Sequence, residues 1–500
     1  MLFTTPEFFI FLVVVILLIE LIRKQLWQQI ILLIASYYFY WYSGSIHVLL
    51  LAFVTLASYF CGYKLFKADT KKWKRIWLVV GIVIPLLVLG YFKYIDFGIT
   101  QINNVLGWFG VGLSVPLLEV LLPVGISFFT FQALSYVLDI YLKKIEHEPK
   151  FYRYALFIAF FPGLVAGPIV RASEFLPQLK NKIRITGTNL QIGVTLILWG
   201  LFKKMVIADN VGHYVDIVYS NPAGYPSLYV IAATILFGIQ LYCDFSGYAN
   251  IAIGCAKIFG FTLPENFNLP FLAHNIQDFW NRWHMTLSRF IRDYLYYPMN
   301  YALSKFNRHH IKERKVRAKA NEIAIYVSLV VSMTLCGLWH GASWTFVLFG
   351  LYHGTLLALY TYLVRYKKFG AKSKFLASNP GTLFKILFFQ IQFIIGNLIF
   401  RANDMETLVA CIQKIVFFDF NISTPMMLAI ILGISFIVLA FIVMSYKPLA
   451  EWIKKMCTYD YIGLVSNMKM RYWLVFIVVM VAAVLLFSPP ETPEFIYFAF

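Results

Sequence analysis

Long, unalternating apolar blocks, each closed by a short polar or basic cluster, run the length of this chain and predict hydrophobic helices rather than strands. The first block, residues 8–22, ends at Arg23 and Lys24, and the second, residues 30–42, ends at a polar hinge of Ser43, Gly44 and Ser45. A third, residues 47–66, runs into Lys67, Lys71, Lys72, Lys74 and Arg75; residues 76–89 return, and a segment over 115–142 leads to Lys143, Lys144, Lys150 and Arg153. Residues 190–201, 228–242 and 251–261 predict further helices, with Lys203, Lys204 and Asp209 interrupting the pattern. Residues 323–339 and 344–363 form a pair that meets at His340, and later blocks end near Phe400, Ser445 and Phe487. A helix needs about 20 apolar residues to cross a bilayer, so most of these blocks suffice for one crossing.

Composition excludes a soluble protein. Charged residues are 13% of the chain where soluble domains carry about 25%, and mean hydropathy is +0.72. Blocks this long must satisfy their backbone groups internally, which points to helices and not to a barrel. The net charge of +19 gathers in loops between apolar blocks, as cytoplasmic loops require, and does not call for nucleic acid. The clusters at 67–75, 143–153, 308–319 and 365–374 are therefore expected to be cytoplasmic, with the N-terminus and the tail 489–500 outside. Six scattered cysteines without a CxxC spacing suggest neither a disulfide frame nor a zinc site. Residues 8–22 lack a preceding basic region and read as a first helix rather than a cleavable signal.

One stretch breaks its own pattern. Residues 160–171 hold Pro162, Gly163, Gly167 and Pro168 within an apolar run ending at Arg171. Proline removes a backbone donor, and such a break at membrane depth is tolerated only where the backbone is buried in protein or lines a cavity. With basic residues on both sides, a loop re-entering from the cytoplasmic face is expected; a kinked crossing is the alternative.

The residues able to carry chemistry lie mostly in the second half. His340 is an ionisable group between two predicted crossings, a position that marks function, and Gly337 and Gly341 would let another backbone approach it. Residues 277–294 predict one amphipathic helix with Trp280, Trp283, Leu287, Phe290, Ile291 and Tyr294 on one face. On that helix Asp278 would pair with Arg282 and Arg289 with Asp293, at the i,i+4 spacing. Its charges exclude a lipid-facing span, leaving an interfacial anchor or a cavity wall; His284, among polar neighbours, need not be buried. His353 lies one apolar stretch beyond His340, and Asp244 sits in the aromatic, small-residue setting of residues 240–248, where it can orient a substrate or join two helices. Glu20 and Glu119 interrupt apolar blocks with no partner that can be named, and the remaining histidines lie in or near loops.

These segments together resemble the membrane-bound O-acyltransferase family, in its branch of alginate and peptidoglycan O-acetyltransferases. The resemblance rests on Trp339-His340-Gly341 with Tyr352-His353-Gly354, on Trp280 to His284 running on to Arg292, on residues 160–171, on Asp244 to Tyr248, on Phe400-Arg401-Ala402 and on the closing residues 494–500. It implies an all-α polytopic membrane protein: a bundle of roughly 11–13 crossings, with re-entrant and interfacial helices around a central tunnel. The chain would form one acyltransferase domain, with N-terminal helices over 1–142, a catalytic core over 143–365 and C-terminal helices over 366–500. The resemblance makes His340 the catalytic histidine and His284 the second histidine of the site, with Trp339, Trp283, Arg282, Ser288, Asp244, Arg171 and His353 as substrate or tunnel candidates. It implies acetyl-CoA as cytoplasmic donor, no metal, and an extracytoplasmic polysaccharide acceptor reached through a secreted serine-hydrolase-like partner. The place would be a bacterial cytoplasmic membrane. Two alternatives stay open: D-alanyl transfer to teichoic acid by a related member, and a transporter using His340 with Glu119 as a proton relay.

Overall fold

A computed structural model describes residues 1–165, 167–370, 372–419, 465, 468–490, 493, 495 and 496. Among these residues every regular element is helical, and eight helices are long and apolar enough to cross a membrane. The block ending near Ser445, Cys457 and most of the closing residues 494–500 lie outside the described residues. The chain divides into two compact units, one of Met1–Leu201, Gly247–Glu265 and Glu494–Phe500, the other of Phe202–Ser246 and Asn266–Pro493.

The first unit opens with Pro6–Leu21, Gln25–Gly44, His47–Lys67 and Lys71–Trp108. Phe3, Phe8, Phe11, Phe39 and Phe161 interlock as one ring cluster, and Gly62 lets the fully buried Tyr136 lie against its helix. Residues 115–142, expected as one long segment, are helical only over Ile126–Tyr141. Pro116 and Pro123 oppose helix in the earlier part. There the chain is held instead by Asp96, which accepts from the backbone of Leu118 (2.7 Å) and Val120 (3.2 Å), and by Asn103, which exchanges two 2.8 Å hydrogen bonds with Val115.

The proline-rich stretch is broken as expected. Phe151–Ala159 is followed by the single turn Phe161–Leu164, and regular helix resumes at Ala172. The backbone N–H of Phe161 donates to Ser36 Oγ (3.1 Å) and that of Ala172 to Ser135 Oγ (3.2 Å), so side chains of neighbouring helices take up the buried donors that irregular backbone leaves. Phe495 of the closing segment packs at a tilt against Tyr248, joining two of the motif segments at a ring separation of 4.3 Å.

The second unit is built around a hairpin of Arg314–His340 and Trp344–Thr361. At 1.5 Å per residue its first arm is about 40 Å long, enough to cross a bilayer and extend beyond it. Gly337, Gly350 and Gly354 face the opposite arm so closely that a Cβ would strike its backbone, as expected for Gly337; Gly341 meets the ring of Phe346 rather than a backbone. Asn379–Arg401 packs on the hairpin, with the Tyr352 hydroxyl donating to Gln392 O (2.9 Å). Residues 228–242 and 251–261, expected as two helices, are one, Ser227–Ile258. The polar residues between them do not end it because Asp244 is buried with a partner.

Candidate active site

The loop after Asn266 is shaped by its own polar side chains. Asn275 caps the short helix Ile276–Trp280 by accepting from Asp278 N (2.9 Å). Asp278 accepts from His274 N (3.0 Å) and pairs with Arg282 at 2.8 Å, the i,i+4 pair expected. Asn268 N donates to Arg282 O and Met285 N to Asn266 O, each at 2.9 Å. These bonds end the helix at Trp280, and the next begins at Met285, so the single helix expected over 277–294 is two, with His284 at the hinge in left-handed backbone (φ +41°). The expected Arg289–Asp293 pair is also replaced: Asp293 pairs with Arg292 (2.8 Å), and Arg289 donates to Met285 O (3.3 Å).

The hinge turns His284 into the protein. It is wholly buried, contrary to the expectation from its polar neighbours, and burial pushes its imidazole down to about 3, so the ring is neutral at physiological pH. Asn266 Oδ1 accepts from Thr286 Oγ1 (2.6 Å) and Thr286 N (3.3 Å) and lies 3.4 Å from His284 Nδ1. An acceptor oxygen there calls for the proton on Nδ1, leaving Nε2 as the basic nitrogen.

Three imidazoles share one aromatic cluster. Trp339 lies between His284 and His340, at ring separations of 6.1 Å and 5.0 Å. Phe349 lies between His340 (6.1 Å) and His353 (4.5 Å), and Trp280 packs edge-on to His353 at 5.3 Å. Phe400 of the Phe-Arg-Ala segment is 5.3 Å from His340, and Phe245 closes on His284 at 4.6 Å. His340 and His353 are 3% and 2% exposed, so all three rings are screened from solvent. A Cβ at Gly396 would meet His353 Nε2 at 2.7 Å, which fixes how closely the helix Asn379–Arg401 approaches that ring.

The other candidates divide. Trp283 packs on Phe267 and Tyr242 beside the cluster, while Ser288 donates to Trp283 O (3.2 Å) and Arg282 is held by Asp278, so both stabilise the hinge. Arg171 belongs to the first unit, where it precedes the short helix Ala172–Phe175. Asp244 is one corner of a buried ion set: Lys204 Nζ lies 3.0 Å from Asp244 and 2.7 Å from Asp209, and Lys203 Nζ donates to Ser246 Oγ (3.0 Å). Sequence reasoning named Lys203, Lys204 and Asp209 only as interruptions. Their signal was two lysines and an acid in an otherwise apolar block, and the π-helical stretch Phe202–Ala208 that carries the lysines fits the tendency of such bulges to mark functional sites. Asn266, too, was not foreseen. Among the described residues no group of three or more His, Cys, Asp or Glu side chains is arranged to hold a metal ion.

A family model described as MBOAT, membrane-bound O-acyltransferase family, matches residues 32–400, a range containing all three histidines. The chain is 35% identical to the peptidoglycan O-acetyltransferase of Helicobacter pylori, over 72% of this chain and 68% of that protein. It is 34% identical to the probable alginate O-acetylase AlgI of Azotobacter vinelandii, over 71% and 66% of the two chains. Identity to the teichoic acid D-alanyltransferase of Bacillus subtilis is 29%, over 54% of this chain and 66% of that one. The chain thus spans about two thirds of each of these relatives.

Proposed function

Since the chain belongs to the membrane-bound O-acyltransferase family, we propose that it moves an acetyl group from cytoplasmic acetyl-CoA to a hydroxyl acceptor on the far side of a bacterial cytoplasmic membrane. The acceptor is a polysaccharide of the alginate or peptidoglycan kind, reached through a secreted serine-hydrolase-like partner. Residues 143–365 carry the catalytic core. The observation that carries this reading is the pair of buried imidazoles on either side of Trp339.

The hairpin supports the sidedness. Basic clusters flank both of its ends, so with those ends cytoplasmic His340 stands at the end remote from the donor's compartment. Coenzyme A is polyanionic and is drawn to basic cytoplasmic loops, and the thioester end then has to reach the buried rings. His340 acts in one of two ways. As general base it takes the acceptor's proton while the hydroxyl oxygen attacks the thioester carbonyl and coenzyme A leaves as thiol. As nucleophile its ring nitrogen attacks the thioester carbonyl and releases coenzyme A as thiol, and the hydroxyl then attacks the acetyl-imidazole, returning the ring as its proton is lost to a base. Both need a neutral imidazole. His284, with Nε2 basic, holds or passes the proton beside it.

Replacing His340 by Ala in cells is expected to abolish surface O-acetylation at normal expression, and retained acetylation overturns the reading. Trapping an acetylated histidine by mass spectrometry separates the covalent route from the general-base route. The relation to the D-alanyltransferase supports a second acyl group as the alternative, tested by D-alanine release from the cell surface. A proton relay through Glu119 has less support, because that residue is exposed and forms no ion pair among the described residues.

A further inference from the structure

The first unit carries a cavity of about 690 Å³ between the ends of His47–Lys67, Lys71–Trp108 and Ile126–Tyr141 that bear the basic cluster. Its lining is cationic in Lys71, Lys74, Arg75, Lys143 and Lys144 and apolar in Leu65, Phe66 and Ile140. Glu146 is the one acid among the described lining residues. Lys144 is partly neutralised by the buried Asp139 at 3.6 Å, so the remaining four cations outnumber the lining acid.

The turn that presents Lys143 is a second and independent observation. Leaving the Ile126–Tyr141 helix, Lys144 N donates to Asp139 O (2.8 Å) and Lys143 N to Ile140 O (3.0 Å), a helix-ending turn whose left-handed position suits glycine. Here that position is Lys143, at φ +58°. A side chain in left-handed backbone is strained, and such strain gathers where a particular group is needed. The lysine holds a place that glycine would fill more comfortably, and it brings a charge to the cavity.

We propose that this cavity is a binding site for a phosphate-bearing anion, specifically the headgroup of an anionic phospholipid of the cytoplasmic leaflet. Clustered lysine and arginine directly beside membrane-spanning helices recognise phosphate headgroups, and basic pockets between such helices hold them. Two of the three flanking helices are long and apolar enough to cross the membrane, which sets their basic ends at headgroup level. The apolar lining favours a lipid, whose glycerol and upper acyl carbons need such a surface, over a freely soluble phosphate. The proposal does not depend on the acetyl-transfer reading.

The test titrates the detergent-solubilised full chain with dioctanoyl phosphatidylglycerol, dioctanoyl phosphatidylcholine and adenosine 3′,5′-bisphosphate, for the native protein, for Lys143→Gly and for the double variant Lys74→Gln, Arg75→Gln. Phosphatidylglycerol is expected to bind well above phosphatidylcholine and to weaken roughly fivefold for each cation removed. Lys143→Gly relieves the strained backbone, so its thermal stability is expected to match or exceed the native protein's while its lipid binding falls, which separates lost binding from lost folding. Binding of the bisphosphate with the same dependence on the variants, and none of phosphatidylglycerol, overturns the lipid in favour of a soluble phosphate. Phosphatidylglycerol binding that is unchanged in both variants overturns the site.

Discussion

The second unit buries titratable groups in two different ways, and the proposed function puts the chemistry on one of them. Around Lys204 the groups are amines and acids in direct contact: two lysines and two aspartates, all at least 93% buried, with Lys204 bonded to both acids. Around His340 the groups are rings set among aromatic side chains. Removing charge from water is costly and is repaid only by close partners, so the ion set is rigid and intolerant. The rings around His340 are held by aromatic packing. On the proposed reading the first cluster holds the fold and the second carries the reaction. Phe245, next in sequence to Asp244, packs on His284, so the ion set also steadies a wall of the site.

That division is open to attack from the charged side first. Lys204→Met leaves Asp209 and Asp244 buried without their cation and is expected to destabilise the protein by about 3–5 kcal/mol. Converting both acids to Asn in the same chain is expected to recover most of the loss, read as thermal midpoint in detergent. Failure of that rescue means that the charges do more than balance one another.

The neutral side is probed by pH. Folded His284 titrates near 3 and unfolded His284 near 6.5, so below 6.5 the unfolded chain takes up a proton that the folded chain refuses. Its contribution is therefore neutral above pH 6.5, and stability falls progressively as pH drops from 6.5 towards 3. His284→Gln is expected to flatten that acid slope while lowering transfer activity. A slope unchanged in the variant shows that the ring is not held neutral by burial. The smallest effect is expected at the partly exposed hinge pair: Arg282→Gln breaks the contact with Asp278 at a cost within about 1 kcal/mol, measured by urea or thermal unfolding.

The helical, polytopic fold was legible because apolar blocks dominate the chain, and His340 because it stands almost alone at the join of two of them. The break at 160–171 was legible in its prolines and glycines. His284 was harder. The apolar spacing from Trp280 to Tyr294 continues across a hinge, and what breaks the helix is a side chain 18 residues upstream, Asn266, a contact that periodicity cannot show. The helix Ser227–Ile258 was missed for the opposite reason. Asp244 looks like a helix end until Lys204, forty residues earlier, is brought to it. Misplaced charge in an apolar block marked the right residues without revealing which of them would pair.

The account turns on His340 acting directly on the acyl group, and the most direct measurement is acetyl transfer by purified protein in proteoliposomes supplied with labelled acetyl-CoA. His340→Ala is expected to lower the rate by about 10²–10⁴-fold with an unchanged thermal midpoint. A variant that keeps its rate, or one that loses the rate only because it no longer folds, contradicts it.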